Sequence, residues 1–223
     1  MGVVDVIEIY TKDCTALSDA ELGDMADLTV GGEGWEAGLL SKQAEKWVLV
    51  SQAFSDGKLQ GFMMTTLERI GGTPSLLIGV GCIGRKRSRS SVLKALMHEQ
   101  LHKTLMAFPD EDVVVATRAN DVGPFEALAG LADVRPWPDT RVNGEERAWG
   151  RRLAKRFDAT SFDDRSMIAV GNGDNLVLDH EGLKKSEVGP IFDACSRSRD
   201  QHVVAWGWAM AEHLDRFQAP ATA

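Results

Sequence analysis

The stretch from Pro74 to Met106 constrains the rest of the chain. An apolar run, Ser75-Leu76-Leu77-Ile78-Gly79-Val80-Gly81-Cys82-Ile83, leads into Gly84-Arg85-Lys86-Arg87-Ser88-Arg89-Ser90-Ser91. Val92, Leu93, Leu96, Met97, Leu101 and Leu105 then recur at helical spacing, with Lys94, Glu99, Gln100 and Lys103 between them. The pattern predicts a strand, a cationic turn and an amphipathic helix, in that order. The first amides of a helix have no partner within it, and the helix dipole favours negative charge there. Strand, cationic turn and helix N-terminus together are the layout of an anion site.

The remainder of the chain fits around this unit. Val3–Tyr10 alternates apolar and polar residues and reads as a first strand. Ser18-Asp19-Ala20-Glu21 forms a capping box for a helix through Leu22, Met25 and Leu28, and Glu36–Glu45 reads as a second. Trp47–Phe54, Leu59–Ile70 and Ser75–Cys82 are strand-like runs separated by Asp56-Gly57 and Gly71-Gly72-Thr73-Pro74. They predict an antiparallel meander that feeds the basic loop. After the helix, Val113–Thr117 is an apolar strand of the buried kind, expected to run parallel to the strand before the helix.

Further on, Pro124 opens a short helix that closes at Gly130, and Ala132–Trp137 reads as a strand. Asn143-Gly144-Glu145-Glu146 caps a helix carrying Trp149, Leu153 and Phe157. Ser166–Val170 and Leu176–Leu178 flank Gly171-Asn172-Gly173-Asp174 and read as a hairpin. Lys184–Ala194 reads as helix, and so does a last segment from Asp200 with Val203, Trp206, Met210, Leu214 and Phe217 on one face, with strand as the rival reading of Val203–Trp208. The expected division is a domain over 1–157 and a C-terminal extension over 158–223, acting as a lid, an oligomer contact or the completion of the sheet.

Composition narrows the function classes. The chain has 223 residues, 43% hydrophobic and 26% charged, with a net charge of −8. An acidic balance argues against nucleic acid or an acidic membrane surface as a partner. The cluster Arg85–Arg89 stands out against it. Three separated cysteines, Cys14, Cys82 and Cys195, provide neither a disulfide framework nor metal spacing, which fits a cytoplasmic location. No apolar run reaches the roughly 20 residues needed to span a bilayer. His98 and His102 lie four apart on the helix, but no third ligand accompanies them, so no metal is expected.

The order of elements resembles the GNAT superfamily of acyl-CoA N-acyltransferases over about Val3 to Trp137. The family's pyrophosphate signature, Arg/Gln-x-x-Gly-x-Gly/Ala, follows its fourth strand and opens a helix. Here Arg85-Lys86-Arg87-Ser88-Arg89-Ser90 stands in that register, with Ser88 and Ser90 in the places of the glycines. Asn120 and Gly130-Leu131 occupy the places of an Asn and a Gly-aromatic pair after the family's fifth strand. The resemblance implies an α/β fold with a GNAT-like mixed, mostly antiparallel central sheet flanked by helices. It also implies direct transfer of an acetyl or other acyl group from acyl-CoA to a primary amine in a ternary complex, without a metal.

On that resemblance, Arg85, Lys86, Arg87, Ser88, Arg89 and Ser90 hold the diphosphate. Val80, Gly81 and Cys82 line the pantetheine arm, and Asn120 bonds its amides. The family's usual tyrosine acid has no counterpart, since Tyr10 is the single tyrosine and Phe125-Glu126 stand near that position. Glu68 and Glu33 are the candidate bases. The expected partner is a small-molecule or peptide amine, and a homodimer is compatible with the chain. The alternatives are a non-catalytic module of the same fold that binds a CoA-like ligand or a protein partner, and a phosphate- or nucleotide-binding protein of a different α/β fold.

Overall fold

A computed structural model describes residues 6–171, 176–182, 187–195 and 200–214. Its centre is a ten-stranded sheet in the order β1-β2-β3-β4-β5-β10-β8-β7, with β6 paired to β10 and β9 paired to β4. The strands β1 (Glu8–Asp13), β2 (Leu49–Ser55), β3 (Lys58–Ile70) and β4 (Thr73–Ile83) form the expected antiparallel meander. Asp56 and Gly57 turn β2 into β3 with φ of 49° and 69°, the left-handed pair a type I′ turn requires. The helix α3 (Arg89–Ala107) carries the chain to β5 (Val113–Ala119), which runs parallel to β4.

Among the described residues there are four further α-helices: α1 (Asp19–Thr29), α2 (Ala37–Ala44), α4 (Gly144–Arg156) and α5 (Ala211–Leu214). Ser18 and Glu21 form the capping box of α1, and Asn143 and Glu146 form that of α4. Each cap satisfies amides that the helix leaves unpaired. Strand alternation then sorts the core into two layers. Val113 and Val115 of β5 pack with Leu93, Leu96 and Leu101 of α3. Val114 and Ala116 face the other way, with Met25, Leu40 and Leu153 of α1, α2 and α4. The architecture is therefore mixed α/β, with a mostly antiparallel sheet covered by helices on both faces. No helix among the described residues is long and apolar enough to cross a membrane.

Three sequence expectations change. Gln201–Ala209 is strand β10, not helix, and pairs antiparallel with β5 from Val203↔Ala119 to Ala209↔Val113. It is apolar on both faces because helices or loops cover both, so helical periodicity in its sequence is a poor guide. The expected hairpin of Ser166–Val170 with Leu176–Leu178 is replaced by two separate pairings. Strand β8 (Ile168–Val170) pairs with β7 (Ser161–Asp163) and β10, whereas β9 (Leu178–Asp179) pairs with β4. The tight turn is made earlier, where the Asp163 carboxylate accepts from the Arg165 amide and the Ser166 hydroxyl. Residues 172–174 of the expected turn lie outside the described residues, as do 1–5, 184–186 and Phe217. Over Lys184–Ala194 the described part holds a single 3₁₀ turn, Gly189–Phe192, and Pro190 removes a donor that a longer helix needs.

Candidate functional site

The site begins where β4 and β5 part. They pair from Ser75↔Val114 to Ile78↔Thr117 and no further. At that point β4 carries a bulge, because Met64 pairs with Val80 and Thr65 with Ile78, leaving Gly79 as the extra residue. Gly79 is needed there for space: a Cβ on it would lie 2.0 Å from Cε2 of Trp47. Past the bulge, Gly81 and Cys82 pair in parallel with Leu178 and Asp179 of β9. A strand from late in the chain thus fills the gap between β4 and β5.

The basic loop lies at the mouth of this gap. Arg85 Nη2 meets Asp179 Oδ1 at 3.0 Å, and the second Asp179 oxygen accepts from the Glu33 amide at 3.3 Å. Lys86 Nζ donates to Gln60 Oε1 at 2.8 Å. Arg89 Nε donates to the Glu181 carbonyl at 2.9 Å and has the Glu181 carboxylate 3.8 Å away. Arg87 is exposed. Helix α3 starts from Ser88 without a side-chain cap. The amides of Arg87, Ser88 and Ser90 donate to no backbone acceptor among the described residues. The 19-residue helix therefore starts from amides that have no backbone acceptor among the described residues, set among three arginines and a lysine.

A cleft of about 610 Å³ opens beside the loop. Glu33, Arg85 and Asn120 line it together, with Asp179, His180 and Glu181. Three residues chosen from the sequence thus meet on one surface. Cys82 lies at the end of β4 as expected, but burial pushes its thiol up to about 12, helped by the nearby Asp179 charge and opposed by Arg85. At neutral pH it is a thiol, not a nucleophilic thiolate. Glu68 lies elsewhere. It pairs with Ser75 on β4 and holds the Arg156 guanidinium, six residues or about 20 Å along the strand from Gly81. Tyr10 lies on β1 and bonds Glu8, three strands from β4 in the sheet order.

Several groups at the site escaped the sequence reading. Arg118 of β5 is 3% exposed, and its Nη2 donates to the carbonyls of Leu176 at 2.8 Å and Gly79 at 3.4 Å. Its Nε and Nη1 are buried and have no hydrogen-bond partner among the described residues. Its guanidinium stacks 5.1 Å from the centre of the Phe157 ring. Burial lowers its pKa to about 10, partly opposed by the Asp158 charge. His202 of β10, 2% exposed, is held down to about 4, first by burial and then by the Arg118 charge. His180 Nε2 lies 3.0 Å from Glu126 Oε2. A cation in the apolar run Val113–Ala119 was the available signal for Arg118. Asp179 and Glu181 gave no comparable signal.

The strand order, the β4–β5 divergence and the uncapped start of α3 beside the basic loop form one pattern. The architecture has the mixed α/β, mostly antiparallel sheet flanked by helices that the resemblance implies. Among solved structures the chain is similar to a GNAT family acetyltransferase from Brucella melitensis in complex with acetyl-CoA, at 15% identity and a TM-score of 0.35, over 48% of this chain and 75% of that one. It is similar to ElaA of Escherichia coli at 14% identity and a TM-score of 0.39, over 60% of this chain and 95% of that one. A third is the ribosomal-protein-S18-alanine N-acetyltransferase of Escherichia coli, at 14% identity and a TM-score of 0.37, over 60% and 86%. No family model matches the chain, and no curated protein does.

Proposed function

We propose that this protein is an acyl-CoA N-acyltransferase that moves an acetyl group from acetyl-CoA to a primary amine. The observation that carries the reading is the divergence of β4 and β5 after Ile78↔Thr117, directly beside the open, cation-ringed N-terminus of α3. A diphosphate would take the donors of Arg87, Ser88 and Ser90 and the charges of Arg85, Lys86 and Arg89. The acyl arm would run along Val80, Gly81 and Cys82. An amide at the Gly79 bulge or its neighbours would polarise the thioester carbonyl. The amine nitrogen would then attack the carbonyl carbon, its proton would pass through water to Glu33, and the C–S bond would break to release the thiolate.

The cleft also favours a class of acceptor. Glu33, Asp121 and Asp193, all outside the segment Leu176–Gly182, outnumber the one arginine that lines it, which suits a cationic small molecule or peptide amine. Asn120 stands where it could bond the coenzyme's amides. Thermal unfolding of the full chain with millimolar acetyl-CoA tests the reading, and a rise in midpoint is expected. Arg87→Ala, at an exposed position, should weaken coenzyme binding about tenfold, the equivalent of about 1.4 kcal/mol. Unchanged affinity in a direct titration would remove the loop from the site.

The filled gap favours a second reading, a non-catalytic module of the same fold. Thiol release from acetyl-CoA over a panel of cationic amines separates the two.

A further inference from the structure

The segment Leu176–Gly182 meets the gap between β4 and β5 through a set of contacts that a coenzyme would itself need. Its backbone runs parallel to β4, and the Gly81 amide donates to the Val177 carbonyl at 3.4 Å. One carboxylate, Asp179, neutralises Arg85 at 3.0 Å. The next residue but one, Glu181, takes Arg89 through both its carbonyl and its carboxylate. Leu176, Val177 and Leu178 are 6%, 3% and 0% exposed, filling the apolar lining. We propose that this segment is a built-in competitor of the coenzyme: it occupies the acyl-CoA gap and must withdraw before coenzyme can bind. The inference rests on the reading of the gap as an acyl-CoA site.

The fit is close but incomplete, as a displaceable occupant requires. Ladder pairing extends over two residues only, Leu178 and Asp179. Two side chains at the segment carry buried atoms with no hydrogen-bond partner among the described residues: His180 at Nδ1, and Arg118, which donates to the Leu176 carbonyl, at Nε and Nη1. Buried donors left unfilled make the occupied state shallower than its apolar contact suggests. Phosphate oxygens can replace the two carboxylates on Arg85 and Arg89, and an amide of the ligand arm can replace the Val177 carbonyl on Gly81. No countercharge is stranded by the exchange.

The backbone contact that seats the segment offers a clean way to remove it. A Cβ on Gly123 would lie 1.7 Å from the His180 carbonyl oxygen and 2.8 Å from the Gly182 nitrogen. Gly123→Ala therefore cannot coexist with the seated segment. Asp179→Asn instead removes the carboxylate charge that faces Arg85 and adds no bulk. When the binding-competent form is only a few per cent of the population, apparent affinity falls by that fraction, so releasing the segment should recover tenfold or more.

Acetyl-CoA is titrated by calorimetry into the wild-type chain and both variants, each checked for a cooperative thermal transition. The expected result is tenfold or tighter binding by Gly123→Ala, and a smaller gain for Asp179→Asn. Should Gly123→Ala fail to fold, tighter binding by Asp179→Asn alone carries the inference. Equal affinities in wild type and the folded variants would overturn it while leaving the coenzyme site intact. Weaker binding in the variants would make the segment part of the site, and would also overturn it. Absence of binding by every form at millimolar coenzyme would remove the acyl-CoA reading itself, and this inference with it.

Discussion

Acidification from pH 7.5 to 4.5 is expected to weaken the fold through a single histidine. His202 lies on β10, 2% exposed, and burial together with the Arg118 charge holds its pKa near 4 in place of 6.5. Between those values the unfolded chain takes up a proton that the folded chain refuses. Stability from this group is therefore complete above pH 6.5 and declines as pH falls toward 4. The full difference corresponds to about 3 kcal/mol, and by pH 4.5 some 2–3 kcal/mol of it, roughly, is spent.

Urea unfolding of wild type and His202→Gln at the two pH values isolates the effect. The variant should lose less stability on acidification, by about 2 kcal/mol. Glu21, held near 2 by Lys12 and Ser18 against an ordinary value of 4.5, begins to lose its contribution only at the acid end of this window, and does so equally in both proteins. Replacing Arg118 by Met should relax the acid dependence only partly, because burial is the larger cause. Identical losses in wild type and His202→Gln would refute the argument.

Other outcomes follow from the same contacts. Gly79→Ala drives a Cβ into the Trp47 ring and should cost about 1–3 kcal/mol in urea unfolding, with coenzyme binding impaired in parallel. Asn143→Ala removes the acceptor for the Glu145 and Glu146 amides and should cost about 1 kcal/mol. Burial raises the thiols of Cys14 and Cys82 to about 12, and it also moves the Cys195 thiol upward from its ordinary value. A disulfide reagent at pH 8 should therefore label the folded chain slowly, and all three cysteines once urea is added.

Local chemistry made much of this molecule legible. The Ser18–Glu21 and Asn143–Glu146 boxes, the Asp56-Gly57 turn and the passage from β4 through the basic loop into α3 each depend on neighbours in sequence. What escaped depends on distant partners. The Arg85–Asp179 pair spans 94 residues, so nothing near Arg85 announces that its charge is already met. Val203 and Trp206 fit a helical stripe, yet both faces of that segment are covered, and a strand between β5 and β8 buries them as well. Glu33 and Asn120 were picked on resemblance and do meet at one cleft, whereas Glu68 belongs to the far end of the sheet.

The placement of β10 has a consequence for biogenesis. Val113-Val114-Val115-Ala116 is synthesised long before Val203–Ala209, its antiparallel neighbour. Until that neighbour leaves the ribosome, a wholly apolar strand presents an open edge, the form of polypeptide most given to pairing with the wrong chain. Premature termination anywhere between the two would leave the sheet without a closing member, and such fragments should be found in the insoluble fraction of an expressing cell.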